Sequence, residues 1–391
     1  MVLVGRLFAA ALQAITIYLL ARWSAVAAFG ACMALLGLLT ALQTLGDLGA
    51  STFVSKEVAG TNRTARIVKA RKMSALTTSL ISAVGLTSTI LWSLVQCRPE
   101  LLYLAPLWIW LTVERSNEID VAIFIGEKRT ATAMTSLLFR RSGTLVMTIA
   151  LAGFYMDPIL AFGISSLVAG VITMVGFRRG PTQSAPCRDP ATFREVFSES
   201  KHYWIHSFSL QARNVDSTVV ALLAGPAQAA FYSLGARLLT PLRMVPTAMA
   251  AVVLPHASRE GIAHEKPLLL VIMTGVLGLP YVALAAIWPI AIPVIFDGKF
   301  DEAIGAVQLL TLSIAFTSTT SIFSALLQGS GRGAIVSRIS AATSVVTIVG
   351  IAGCSAAWGA WGAAAAYSIA SALHSALIIG QYLSNAKKEA R

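Results

Sequence analysis

The stretch "LTVERSNEIDVAIF", Leu111 to Phe124, decides how this chain folds. Four charged residues, Glu114, Arg115, Glu118 and Asp120, stand there between apolar blocks. In water such a segment is an exposed helix face. In hydrocarbon the same charges are costly, and each needs a partner or a purpose.

Composition chooses between the two settings. The chain has 391 residues, of which 56% are hydrophobic and 12% charged, with a mean hydropathy of +0.73. A soluble domain carries about 25% charged residues, so this chain has too little polar surface to cover a water-soluble globule. The apolar residues also fall in blocks of about 20, the length at which a helix crosses about 30 Å of hydrocarbon. Twelve spans are expected, at 3–21, 27–54, 73–95, 101–125, 132–153, 157–177, 201–224, 227–254, 267–295, 303–327, 335–356 and 360–384. Continuous apolar runs rather than ten-residue alternations exclude a closed β-barrel. The expected fold class is therefore all-α and polytopic.

The net charge of +12 suggests nucleic acid or anionic lipid until its location is considered. The cations gather in alternate connections: "KEVAGTNRTARIVKARK" (Lys56–Lys72), "EKRT" with Arg140–Arg141, "FRRGPTQSAPCRDPATFRE" (Phe177–Glu195), Arg259 with Lys266, Arg332 with Arg338, and the tail "KKEAR". The intervening connections hold only Arg22, Arg98 and Lys299 as cations, and include the acidic "FDGKFDE" (Phe296–Glu302). The positive-inside rule then places both termini in the cytoplasm and leaves no role for nucleic acid. Six spans (1–180), a basic cytoplasmic connection (181–200) and six more spans (201–391) give two like halves, as parallel repeats would. A faint echo between "FVSKE" (Phe53–Glu57) and "HASRE" (His256–Glu260) agrees. Trp23, Trp92, Trp358 and Trp361 fall near outer edges, as an interfacial belt does. No cleavable signal peptide is expected. The cysteines are scattered without a CxxC, so neither zinc nor a disulfide framework is indicated.

The charges inside spans carry the functional content. At 100° per residue, Glu114, Arg115 and Glu118 share one arc and Asp120 points elsewhere. Arg115 can pair with Glu118 one turn away, or Glu114 and Glu118 can serve as cation-responsive groups. In the seventh span His206, Ser209, Arg213, Asp216 and Ser217 form one polar stripe, with Arg213 about 18 Å along the helix at 1.5 Å per residue. Arg213 and Asp216 can neutralise each other, but the stripe extends beyond that pair and favours a cavity lining. The eighth span, "FYSLGARLLTPLRMVPTAMAAVVLP", carries Arg237 and Arg243 with no carboxylate of its own, and Pro241 can open it locally. Arginines at that depth need an anion, and the planar guanidinium suits phosphate.

Two patterns are discounted. His202 and His206 stand at i,i+4 without a third ligand, so no metal is expected. "GSGRG" (Gly329–Gly333) lacks the preceding strand and the Lys-Ser/Thr of a phosphate loop, so it reads as a tight turn and ATP is not the direct energy source.

Several segments resemble one family. "LLARWSAVAAFGACMALLGLLTALQTLGDLGASTFVSKEVA" (Leu19–Ala59) is similar to the opening of oligosaccharide (O-antigen-type) flippases of the polysaccharide biosynthesis protein family. "YSLGARLLTPLRMVPTAMAAVVLPHASRE" (Tyr232–Glu260) resembles their eighth span, and "FDGKFDEAIGAVQLLTLSIAFTSTTSIFSALLQGSGR" (Phe296–Arg332) their ninth-to-tenth-span region. "WGAWGAAAAYSIA" (Trp358–Ala370) resembles the entry to their last span. Multidrug extruders share the superfamily. The resemblance implies twelve helices in two six-helix lobes around a central cavity, worked by alternating access. It implies translocation of polyprenyl-diphosphate-linked oligosaccharide to the outer leaflet for surface polysaccharide such as O-antigen, in an inner or plasma membrane. Arg213, Arg237 and Arg243 match the expected cavity cations, and Asp47 falls at the family's "dlG" position. Glu114, Glu118 or Asp216 can couple the movement to H+ or Na+. The competing expectation is a cation-coupled multidrug extruder, which a cavity lined by carboxylates and aromatics would favour. A glycan polymerase or transferase is disfavoured by the short outer connections, so no enzyme and no cofactor are expected.

Overall fold

The computed structural model describes residues 2–59, 64–177, 192–211, 215–246, 250, 267–329 and 332–389. Among them every regular element is helical. The contacts divide the chain into two compact units, Met1–Ser24 with Leu35–Val215, and Ala25–Ala34 with Asp216–Arg391.

The first unit holds α1 (Val2–Trp23), most of α2 (Val26–Asp47), α3 (Ala50–Ala59), α4 (Thr64–Gln96), a 3-10 turn at Pro99–Leu104, α5 (Ala105–Gly126), α6 (Thr130–Gly153), α7 (Pro158–Phe177) and α8 (Phe193–Gln211). The second holds the start of α2, then α9 (Asp216–Ala224), α10 (Pro226–Leu238), a helical run at 240–246, α11 (Pro267–Phe296), α12 (Ile304–Gly329) and α13 (Gly333–Glu389). Seven of the described helices are long and apolar enough to cross a membrane. Their outward faces are apolar too: Leu94 and Val95 of α4 and Ile290 and Val294 of α11 are each about 70% exposed. A surface of that kind is stable only against lipid. Trp92, Trp358 and Trp361 are likewise exposed, as interfacial anchors should be.

Two expected spans are broken, each for a local reason. The span at 27–54 stops at Asp47 because Leu48 (φ 51°) and Gly49 (φ 78°) are left-handed, and α3 starts beyond them. Gly49 is also where α8 crosses: a Cβ there would stand 2.4 Å from the Ser200 carbonyl oxygen. Trp204 Nε1 donates to the Leu45 carbonyl at 3.1 Å beside this crossing. The span at 227–254 is interrupted after Leu238, where Pro241 cannot donate to the Arg237 carbonyl. Of the span at 201–224 the structure describes α8 up to Gln211 and α9 from Asp216. At the far end, Trp358 and Gly359 (φ 60°, ψ −140°) break α13 in the gap expected between the last two spans.

Packing in each unit depends on glycines at close crossings. Gly85 of α4 leaves room for the Trp108 ring of α5, whose Nε1 donates to Thr89 at 2.9 Å. In the second unit the start of α2 lies on α10, with Phe29 edge-on to Phe300 (5.9 Å) and Phe231 edge-on to the same ring (6.0 Å). Gly30 is the tightest point, since a Cβ there would stand 1.7 Å from the Pro226 carbonyl oxygen. No side-chain rotation relieves a clash with backbone. Gly30→Ala is therefore expected to cost about 1–3 kcal/mol through overpacking. Thermal melting of the detergent-purified protein checks this; a melting temperature equal to wild type would refute the contact.

Candidate functional site

The segment that opened the question, Leu111–Phe124, lies inside α5, and its four charges leave their own helix in different directions. Glu114 meets Arg141 (3.1 Å) and Arg140 (3.4 Å) of α6, and Glu118 meets Arg140 at 2.7 Å. Arg115 reaches Asp47 at the end of α2, 2.5 Å away, and Asp120 takes Arg71 of α4 at 2.9 Å. The pair Arg115–Glu118 within α5 is thus not the one formed. The helix turns Arg115 toward α2 and Glu118 toward α6, so each finds its opposite charge on a neighbour.

Four carboxylates and four arginines balance in this unit. Arg140 is 1% exposed and sits ten residues into α6, about 15 Å from its start at 1.5 Å per residue. The sequence reading that grouped Arg140–Arg141 with the loop cations is corrected here: both are interior partners of Glu114. Their position inside the apolar block 132–153 was the available signal. Arg71 was missed as well, for it lies in the basic run before the third expected span. Asp47 has a second task, accepting from the Ser51 hydroxyl at 2.9 Å and its amide at 3.3 Å, which caps α3.

The second unit is built differently. Asp216 opens α9 and accepts from the Ser217 amide (2.6 Å) and from the Tyr232 hydroxyl of α10 (2.9 Å). These donors are neutral. Arg237, one and a half turns beyond Tyr232, lies in the electrostatic field of Asp216 and Arg243. Among the described residues it has neither an ion pair nor a side-chain hydrogen bond. Arg243, on the helical run 240–246, lays its guanidinium over the Tyr367 ring at 5.2 Å. One of its terminal nitrogens is shut from solvent without a hydrogen-bond partner. Tyr232 and Tyr367, which position these groups, were not singled out by the sequence. The expected Arg213 lies outside the described residues, as do the side chain of His206 and the segment His256–Glu260. The candidates thus separate. Glu114, Glu118 and Asp47 belong to the balanced network of the first unit, and Arg237, Arg243 and Asp216 share one neighbourhood in the second.

A class of protein follows from this geometry. Residues 1–260 match the family described as "Polysaccharide biosynthesis protein". The fold is that of transporters of the MOP superfamily. An inward-facing multidrug resistance MATE family transporter of that superfamily superposes with a TM-score of 0.72 at 14% identity, over 99% of this chain and 95% of that one. Lipid II flippase MurJ in its inward closed conformation gives 0.75 at 13% identity, over 97% and 86%. A MOP superfamily transporter from Pyrococcus furiosus gives 0.65 at 14% identity, over 100% and 95%. Comparison with curated protein sequences finds no match. The chain belongs to the polysaccharide biosynthesis protein family, as a multi-pass membrane protein.

The network of the first unit makes a stability prediction. Removing one partner of a buried pair strands the other charge, at a cost of about 3–5 kcal/mol. Arg140→Ala removes the arginine of Glu118, itself 41% exposed, and one of the two at Glu114, so the cost lies below that range and folded yield on size-exclusion chromatography should fall. Arg140→Leu combined with Glu118→Gln and Glu114→Gln removes the stranded charges and should recover much of it.

Proposed function

We propose that this protein is a flippase that carries polyprenyl-diphosphate-linked oligosaccharide from the cytoplasmic to the outer leaflet for surface polysaccharide assembly. The diphosphate would be held by Arg237 and Arg243, with Arg213 as a third cation. The observation that carries this reading is the contrast in charge pairing. In the first unit every arginine of the network has its acid, whereas Arg237 and Arg243 have none among the described residues. An arginine fork without a protein acid suits an anionic ligand. Membership of the family and the fold shared with a lipid II flippase support the same substrate class.

The proposal includes alternating access by two six-helix lobes, 1–180 and 201–391, in an inner or plasma membrane with both termini cytoplasmic. The lipid tail stays in hydrocarbon while the lobes shield the diphosphate and sugars. Directionality from a proton or sodium gradient belongs to the same proposal. Glu114, Glu118 and Asp47 are each tied to arginine, so Asp216, whose donors are neutral, is the carboxylate best placed to respond. A drug extruder of the same fold would offer carboxylates to a cationic substrate. The fold is shared with a multidrug resistance MATE family transporter as well, but among the described residues the charges left without an opposite partner here are cations.

Charge-assisted hydrogen bonds are worth about 1.5–3 kcal/mol, so Arg237→Ala is expected to lower flipping about 10–100-fold. Arg237→Lys keeps the charge but loses the fork and should fall between. Surface polysaccharide in cells and leaflet exchange of a fluorescent lipid-linked sugar in proteoliposomes are the readouts. Wild-type transport by Arg237→Ala would end the proposal. Rates unchanged after collapse of both pH and sodium gradients would remove the coupling.

A further inference from the structure

Two arginines in one neighbourhood repel each other, and in a low-dielectric setting that repulsion needs an anion even when no substrate is bound. Asp216 is the carboxylate in reach. Its oxygens accept from the Ser217 amide (2.6 Å) and hydroxyl (3.2 Å) and from the Tyr232 hydroxyl (2.9 Å), so it is held in place by groups that carry no charge. Tyr232 is completely buried and cannot give that hydroxyl to water. Asp216 therefore acts on Arg237 through space, without closing an ion pair with it.

We propose that Asp216 is a built-in counter-anion for the diphosphate site: it compensates Arg237 when the site is empty and repels the diphosphate once bound, which speeds release. The inference rests on Arg237 as a diphosphate ligand. Of the described side chains, Arg237, Arg243 and Asp216 carry a net single positive charge. A diphosphate diester brings two negative charges and turns the local balance negative. The bound state is then held less tightly than the two arginines alone would hold it. A transporter needs that, because substrate gripped too well is not released on the other side. Tyr232 becomes a positioning residue, since its hydroxyl keeps the carboxylate off Arg237 and leaves the guanidinium available.

The two roles predict shifts of opposite sign. In the full-length protein in nanodiscs, Asp216→Asn is expected to tighten radiolabelled farnesyl diphosphate about tenfold, a change of about 1.4 kcal/mol. In proteoliposomes the same variant should show a lower KM and a lower kcat for leaflet exchange of a fluorescent polyprenyl-diphosphate-linked sugar. Tyr232→Phe keeps the ring but frees the carboxylate to close on Arg237, so it should weaken farnesyl diphosphate binding. Were both variants to weaken binding alike, Asp216 would be merely structural and the inference would fall. Unchanged affinity in Asp216→Asn, with binding abolished in Arg237→Ala, would overturn the counter-anion role and leave the diphosphate reading standing. Wild-type binding in Arg237→Ala would overturn that reading itself. Should Asp216→Asn not run as a monodisperse species, Asp216→Ser takes its place: tighter binding supports the role, and unchanged or weaker binding refutes it.

Discussion

A charge in hydrocarbon must be answered by another charge, and in the first unit this single requirement ties four helices together. Asp47 of α2, Arg71 of α4, the four charges of α5, and Arg140 and Arg141 of α6 meet one another across helix boundaries. The pairs act as distance constraints between helices that otherwise present interchangeable apolar surfaces to one another. Leucine on leucine tolerates a slide of one turn. Arg115 on Asp47 does not, because displacement by a turn (about 5.4 Å) would strand both charges in a medium that penalises them. Asp47 extends the effect to α3 by capping it, so the turn at Leu48–Gly49 and the crossing of α8 follow from the same contact.

The second unit takes the other course. Its aromatic contacts around Phe300 and its close approaches at Gly30 and Gly359 give it a frame. Gln228, which accepts from the Ala360 amide at 2.8 Å, ties α10 to the break in α13. Arg243 lies over the Tyr367 ring, and the Tyr232 hydroxyl holds Asp216. The charges of the first unit's network are thus paired with one another, while Arg237 and Arg243 have no acid paired to them among the described residues. That division agrees with an anionic substrate and explains why the carboxylates of "VERSNEID" are poor candidates for ion exchange.

Helix interruptions were legible where a single residue causes them. Pro241 announced the opening of the eighth span, and the glycines of "GDLG" and "WGAWG" stand where left-handed or otherwise special backbone is needed. Charge partners were legible only as a need. Periodicity placed Glu114 and Glu118 on one face, and that geometry allowed a pair within α5 as readily as one outside it.

What the sequence determined alone was the solvent and the helical, multi-pass character of the chain. Apolar block length and scarcity of charge are properties of the chain itself, and they leave a polytopic helical membrane protein as the outcome. The tertiary structure alone decided which charges cancel. Coulomb energy depends on distances between helices, and residues such as Arg71 and Asp120, or Asp47 and Arg115, are 49 and 68 positions apart along the chain. It likewise selected Tyr232 and Tyr367, ordinary aromatics in the sequence, as the groups that hold a carboxylate and an arginine in place. Packing put them there, and no local pattern records it.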